Sequence, residues 1–307
     1  MSVVPATFIV GHPRSGTSLL RALLDSHPEL LVLPFESHLF DWVRSEDPVG
    51  ALLDRTRLWP TLNRHRPSIS RETVEHVFIR EFSQAHDPRE RLLSLVEGWR
   101  KLTGTQKGIR WVEKTPRHLY EFKTLSSWFP NGARVLVMRR DPRDVITSSL
   151  KQSPSRKIFQ MALTGRLAHQ VVTEHEPDPR VLVVSYEGLV RDPVGTMERV
   201  CQFLDIRYDT VVAKPTVLGE EYLGNSRFKN TLEGVTQAAV GRYIDVLSGP
   251  RLGRAEALLA PVLAAGGYAP TYSGVGGRHM IGKAAINVIL KSGLWRSRTV
   301  RAAFGGA

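Results

Sequence analysis

The sequence predicts an α/β fold of three layers, in which a central parallel sheet is flanked by helices. Three short runs rich in β-branched residues have the length and composition of buried strands: residues 7–10, 134–138 and 181–184. Each run leads into a turn and then into a helical pattern. This alternation is typical of parallel sheets, whose crossover connections place helices on both faces.

Length and composition predict one domain with two additions. A chain of 307 residues, 42% of them hydrophobic, has enough apolar material for a substantial core. We assign residues 1–270 to this domain and expect a helical insertion at about 41–107, where helix-like periodicity is interrupted by prolines. Residues 271–307 are expected to form a basic C-terminal extension.

A glycine-bracketed turn follows the first predicted strand. Gly11 and Gly16 enclose four residues, and Thr17 and Ser18 come next, which is the frame of a phosphate-binding P-loop without its lysine. A leucine stripe predicts a helix that begins near Gly16, where free N–H groups and the positive dipole end favour an anion. Arg14 adds a cationic side chain from within the loop. An ordinary capped turn is the alternative reading of this pattern.

The chemistry usually linked to a P-loop is disfavoured. A kinase or ATPase needs the missing lysine, and usually an acidic residue at a strand end that holds magnesium. The second predicted strand ends instead in Arg139 and Arg140. This favours a site that binds phosphate by side-chain charge and without metal. The histidines, including His169 and His175, show no spacing typical of metal ligands.

Several segments resemble the sulfotransferase superfamily, in particular the tyrosylprotein sulfotransferases and many bacterial members. PRSGTSLLRALLDSHP (13–28) resembles the 5′-phosphosulfate loop, RRDPRDVITSSL (139–150) the 3′-phosphate motif, and VLVVSYEGLVRDP (181–193) the adenine-side segment. The resemblance implies a P-loop-like fold and 3′-phosphoadenosine 5′-phosphosulfate as co-substrate, with no metal. It covers roughly residues 7–40, 109–152 and 181–270.

The same resemblance implies a set of donor-binding residues. Arg140 and Ser148 are placed at the 3′-phosphate and Tyr186 near the adenine, whereas Arg143 is expected in a solvated charge cluster. The full set is Arg14, Ser15, Gly16, Thr17, Ser18, Arg140, Ser148, Tyr186, Ser226 and Arg242.

The catalytic residues are also implied by resemblance. WVEKTPRHLYEF (111–122) resembles a Glu-Lys-Thr-Pro-x-His element of bacterial members and the place of the catalytic lysine in tyrosylprotein sulfotransferases. Lys114, with Arg14 beside it, would then stabilise the negative charge that develops on the leaving oxygen. Glu36 matches the base of the family. The alternative bases are His38 and His118.

The expected function is therefore sulfuryl transfer to a hydroxyl or amine. The acceptor stays open among a sugar, a lipid, a small metabolite and a peptide, because a fold does not determine a substrate. One alternative is a P-loop small-molecule kinase. Another is a non-catalytic protein that binds anionic lipid or nucleic acid. Nucleic acid is not expected as a partner, because no aromatic stacking platform accompanies the basic residues.

The formal net charge of +12 favours polyanionic partners. No apolar run is long enough for a signal peptide or a membrane span, so we expect a cytoplasmic, soluble protein. Cys201, the one cysteine, is expected to be a buried structural thiol. The chain has no acidic residue after Glu256, so the C-terminal extension is basic throughout. This composition predicts a basic amphipathic helix in peripheral contact with a membrane, a terminal helix packed on the domain, or a partly disordered tail.

Overall fold

A computed structural model describes residues 5–105, 110–130, 133–222, 235–272 and 280–293. In chain order the strands of the main sheet are β1 Ala6–Gly11, β2 Leu30–Val32, β3 Arg110–Lys114, β4 Arg134–Arg139 and β5 Val181–Ser185. They are arranged in the order β2-β3-β1-β4-β5. Strand β3 pairs in parallel with both β1 and β2. A second, antiparallel sheet joins β6 Thr216–Val217 to β7 Glu220–Glu221.

Helices make up most of the remaining described chain. The α-helices are α1 Thr17–Asp25, α2 Leu39–Trp42, α3 Pro48–Arg55, α4 Leu58–His65, α5 Arg71–Phe82, α6 Pro88–Thr103, α7 Phe122–Trp128, α8 Pro142–Gln152, α9 Ile158–His175, α10 Tyr186–Arg191, α11 Pro193–Leu204, α12 Tyr243–Val246, α13 Gly249–Gly266 and α14 Met280–Ser292. The 3₁₀ helices are Pro116–Glu121 and Thr210–Ala213. The predicted α/β class is confirmed, and helices α2 to α6 occupy the stretch predicted to be a helical insertion.

Asp-Pro pairs start several of these helices. Asp47, Asp87, Asp141 and Asp192 each precede a proline, and each side chain accepts a hydrogen bond from a backbone N–H in the first turn. The aspartate satisfies an N–H that has no partner within the helix, and the proline lacks the N–H that would need one. Asp141 and Pro142 fix where α8 begins after β4. This junction lies in the predicted 3′-phosphate motif.

The chain divides into two compact units. The first draws its described residues from 1–10, 17–136 and 192–235. The second draws them from 11–16, 137–191 and 236–307. In the first unit, Phe8, Trp111 and Phe129 form an edge-to-face aromatic cluster in the core. In the second, α9 packs on α13 and buries Leu167 and Leu259.

The C-terminal helix α14 packs on α9 and α13 within the second unit. Ile286 is fully buried, and Arg166 of α9 donates a hydrogen bond to Asn287 Oδ1 at 2.7 Å. Ile286 thus packs inside the fold, whereas Val288 of the same helix is 66% exposed. The described contacts of α14 are with α9 and α13, and they do not support the membrane-surface alternative. Trp295 and the arginines after it lie outside the described residues. Among the residues that the structure describes, no helix is long and apolar enough to cross a bilayer.

Candidate active site

The predicted catalytic lysine and the predicted base, Lys114 and Glu36, lie together in the first unit, at the carboxyl end of β3. This strand ends at Lys114, whose side chain is 5% exposed. Its Nζ donates to Glu36 Oε1 at 2.5 Å and to Ser18 Oγ, in the first turn of α1, at 3.3 Å. The structure thus brings together three of the residues that the sequence analysis selected.

Burial and pairing shift the pKa values of Lys114 and Glu36 in opposite directions. Burial lowers the pKa of Lys114, and the attraction of Glu36 offsets only part of that effect. Burial also works to raise the pKa of Glu36, but the Lys114 ammonium and His38 outweigh it, so the carboxyl has a pKa well below its ordinary value. Glu36 is therefore ionised at neutral pH. While it is paired with Lys114 it is a weak base.

The two alternative bases have different surroundings. His38 Nε2 lies 3.3 Å from Glu36 Oε2, and the backbone of His38 is left-handed, with φ 46° and ψ 33°. His118 Nδ1 lies 3.0 Å from Glu113 Oε2, and its Nε2 is buried without a hydrogen-bond partner among the described residues. His38 therefore contacts the predicted base directly, whereas His118 belongs to a neighbouring cluster around Glu113.

Four of the residues predicted to bind the donor lie together in the second unit: Arg14, Arg140, Ser148 and Tyr186. Arg14 has φ 76°, and its Nε donates to Ser148 Oγ at 3.0 Å. Arg140 donates to the carbonyl oxygen of Arg14 at 3.2 Å and to that of Ala239 at 2.5 Å. Its guanidinium carbon also lies 4.3 Å from the centre of the Tyr186 ring, a cation–π contact. Arg140 thus joins the loop, the 239–243 segment and the predicted adenine-side tyrosine.

The tight turn of the loop requires its second glycine. Gly16 has φ +106°, and a Cβ at this position would lie 2.4 Å from Cδ2 of Tyr186. The Ser15 N–H closes the turn on the His12 carbonyl at 3.1 Å. The Ser15 hydroxyl is buried and has no hydrogen-bond partner among the described residues. The turn therefore holds a buried donor close to the position where the sequence predicts an anion.

Comparison with known families decides the assignment. The profile described as "Sulfotransferase family" matches residues 5–210, about two thirds of the chain. The chain belongs to the sulfotransferase family. This family span includes the loop, Glu36, Lys114, Arg140, Ser148 and Tyr186.

Two relatives are similar to the chain in sequence, and one solved structure is similar to it in fold. The chain is 29% identical over 231 residues to protein-tyrosine sulfotransferase A of Caenorhabditis elegans, covering 68% of this chain and 52% of the relative. It is 26% identical over 270 residues to protein-tyrosine sulfotransferase of Drosophila melanogaster, covering 80% and 45%. The chain thus spans about half the length of these relatives. The fold resembles the sulfotransferase domain of the Synechococcus PCC 7002 olefin synthase, with TM-score 0.64, 19% identity and coverage of 86% and 95%.

The remaining predictions, on Arg242, Ser226 and Arg143, have different outcomes. Arg242 is exposed and lies just before α12, in a segment that Asp144 holds by accepting from the N–H groups of Gly241 and Tyr243. Ser226 lies outside the described residues. The solvated position expected for Arg143 is wrong, because its side chain is 3% exposed.

The burial of Arg143 follows from Asp141, two residues before it, and from three partners that are distant in sequence. Its guanidinium binds Asp141, Glu256 at 2.6 Å and the carbonyl of Ala269, and stacks on the Tyr243 ring at 4.0 Å. Burial lowers the pKa of Arg143, but the hydrogen bonds to the two carboxylates outweigh it and raise the pKa. Charged residues at a helix start are usually solvated, so the local sequence gave no signal for this network.

Proposed function

We propose that this protein transfers a sulfuryl group from 3′-phosphoadenosine 5′-phosphosulfate to a hydroxyl or amine of an acceptor. The observation that carries the proposal is the ion pair between buried Lys114 and half-buried Glu36, with Ser18 beside it, in a chain of the sulfotransferase family. A buried ammonium next to a carboxylate supplies both a cation for a leaving oxygen and an acceptor for a proton.

The loop and the residues of the second unit fit the donor nucleotide. The Ser15 hydroxyl and Arg140 Nε are buried donors without a partner among the described residues, and such groups are satisfied by an anion. We assign the 5′-phosphosulfate to the loop from Arg14 to Ser18, the 3′-phosphate to Arg140 and Ser148, and the adenine to Tyr186. Ser226 and Arg242 are assigned to the same nucleotide. When bound, the donor supplies the sulfuryl group and a nucleoside bisphosphate as leaving group.

Each catalytic residue has a defined task in this proposal. Glu36 accepts the proton of the acceptor hydroxyl as the acceptor oxygen bonds to sulfur. Lys114 stabilises the electron pair that stays on the oxygen of the broken bond, and Arg14 adds positive charge there. As Lys114 turns from Glu36 to that oxygen, Glu36 loses its counter-ion and its pKa rises towards the ordinary range. The carboxylate therefore becomes a stronger base at the step that needs one.

The roles of the pair are tested by Lys114→Ala and Glu36→Gln. Lys114→Ala should reduce turnover by at least about 100-fold, because charge on the leaving oxygen develops in the transition state. Adenosine 3′,5′-bisphosphate should still raise the melting temperature of the Lys114→Ala variant. Lys101→Ala is a matched control, because this exposed lysine pairs with Glu81 instead. Near-normal turnover of Lys114→Ala would contradict the assignment.

A panel of candidate acceptors, each incubated with labelled donor, would identify the acceptor. The relatives named above are protein-tyrosine sulfotransferases, so a tyrosine peptide belongs in it. A sugar, a lipid with a free hydroxyl, a small phenol and an amine complete it, because one fold serves many acceptors. Glu36→Gln should slow transfer to hydroxyls. If it does not, His38 becomes the preferred base, because it contacts Glu36 in the structure.

A further inference from the structure

A second buried carboxylate lies directly beside the catalytic lysine. Glu113 precedes Lys114 in β3 and is fully buried. Its Oε1 accepts from Ser37 Oγ at 2.8 Å, from Ser37 N at 3.3 Å and from Thr115 Oγ1 at 2.5 Å, while its Oε2 lies 3.0 Å from His118 Nδ1. Successive residues of a strand point to opposite faces of the sheet. Lys114 faces Glu36, and Glu113 therefore points to the other face, where these partners lie.

These bonds join the chain segment of the base to that of the lysine. Ser37 follows Glu36, and both its backbone N–H and its hydroxyl are held by Glu113. The next backbone N–H, that of His38, donates to Thr115 Oγ1 at 3.3 Å, and the Thr115 hydroxyl in turn donates to Glu113. Segments 36–38 and 113–115 are therefore linked by contacts that do not involve the Lys114–Glu36 pair.

We propose that Glu113 is a positioning residue that holds Glu36 at its distance from Lys114. The inference rests on the proposed function for its catalytic meaning. A carboxylate suits this positioning task, because it accepts a hydrogen bond from every partner named above and has no hydrogen to donate. Glutamine of the same shape would turn an NH₂ group towards a donor, leaving a buried polar group unsatisfied.

The effect should appear in the pH dependence of catalysis. The charged groups around Lys114 are Glu36, Glu113 and Arg21, and His38 faces Glu36. Glu113→Gln removes a charge that raises the pKa of Lys114. If the variant also loosens the Lys114–Glu36 pair, the attraction of Glu36 weakens, the pKa of Lys114 falls further and the pKa of Glu36 rises. The profile of kcat/KM should then narrow from both sides. Turnover should fall about 10- to 100-fold, because small displacements of catalytic groups have effects of this size.

The deciding experiment titrates the Lys114 amine by NMR in protein with labelled lysine, which needs no activity. Glu113→Gln should lower this pKa relative to wild type, partly because the charge of Glu113 itself raises it, and Glu113→Asp, which keeps the charge and the acceptor oxygens, should lie between them. Thr115→Val removes one link and no charge, so a lowered Lys114 pKa in this variant reports positioning alone. Glu256→Gln is the matched control, since this buried carboxylate of the second unit binds Thr271 and Tyr272.

The outcomes separate this inference from the proposed function. A Lys114 pKa that stays at the wild-type value in Thr115→Val would overturn the positioning role, whatever the activity and whatever the titration of Glu113→Gln. Loss of stability in Thr115→Val with no change in the Lys114 titration, as expected for Glu256→Gln, would show that these links have a purely structural role. A Lys114 titration that shifts in Thr115→Val, in a protein whose wild type transfers no sulfuryl group, would support the positioning role and contradict the proposed function.

Discussion

Substitution of the second loop glycine tests the packing on which the donor site depends. In Gly16→Ala the new Cβ would lie 2.4 Å from Cδ2 and 3.1 Å from Cε2 of Tyr186, within the second unit. The ring also carries the cation–π contact with Arg140. Because a real Cβ cannot approach a ring carbon so closely, the ring or the loop must move.

The free energy of unfolding that Gly16→Ala is expected to lose has two parts. A non-glycine residue at φ +106° is strained by about 1–2 kcal/mol, on the order of the left-handed penalty. The clash adds about 1–3 kcal/mol, the range found for overpacked sites. Gly249→Ala is a matched control in the same unit, because Gly249 has φ +50° and no described atom would lie within 4 Å of the new Cβ. Gly249→Ala should therefore lose only the part that comes from backbone strain.

Urea denaturation of the variants measures these losses. Gly16→Ala should be less stable than Gly249→Ala by about 1–3 kcal/mol. Adding Tyr186→Ala to Gly16→Ala should recover most of this difference, so that the double variant is less destabilised than the sum of the single ones. Equal losses for the two glycines, or strict additivity with Tyr186→Ala, would refute the packing argument.

Three further outcomes follow from the second unit and from the buried thiol. Ser148→Ala removes the acceptor of Arg14 Nε and should lower the free energy of unfolding by about 1 kcal/mol in urea titrations. Adenosine 3′,5′-bisphosphate should raise the melting temperature more than 5′-AMP without magnesium, and Arg140→Ala should erase this difference; equal stabilisation of the wild type would contradict the 3′-phosphate assignment. Burial raises the pKa of Cys201 to about 11, so iodoacetamide at pH 8 should label it at the rate of unfolding, and fast labelling of the folded protein would argue against burial.

Much of the sheet could be predicted because its strands are apolar and its turns are distinctive. The runs at 7–10, 134–138 and 181–184 lie within β1, β4 and β5. The helix expected near Gly16 begins at Thr17. Local composition decides such elements, since β-branched runs and glycine turns carry their own conformational preference.

Strand β3 shows what local sequence could not reveal. Its five residues, RWVEK, include three charged side chains, yet all five are buried. Charged residues are normally solvated, and Glu113 is buried because Ser37, far away in sequence, bonds to it. The same holds for Arg143, whose partner Glu256 lies on another helix. The roles of the site residues were suggested by family resemblance, whereas the contacts among them come from tertiary structure.

The central claim is tested most directly by following two labels in one protein preparation. Wild-type protein is incubated with the acceptor panel and either sulfur-labelled 3′-phosphoadenosine 5′-phosphosulfate or ATP labelled in its γ-phosphate. The account predicts sulfur label in at least one acceptor, release of one adenosine 3′,5′-bisphosphate per transfer, and no phosphate transfer. Phosphorylated acceptor from ATP without sulfur transfer would contradict it.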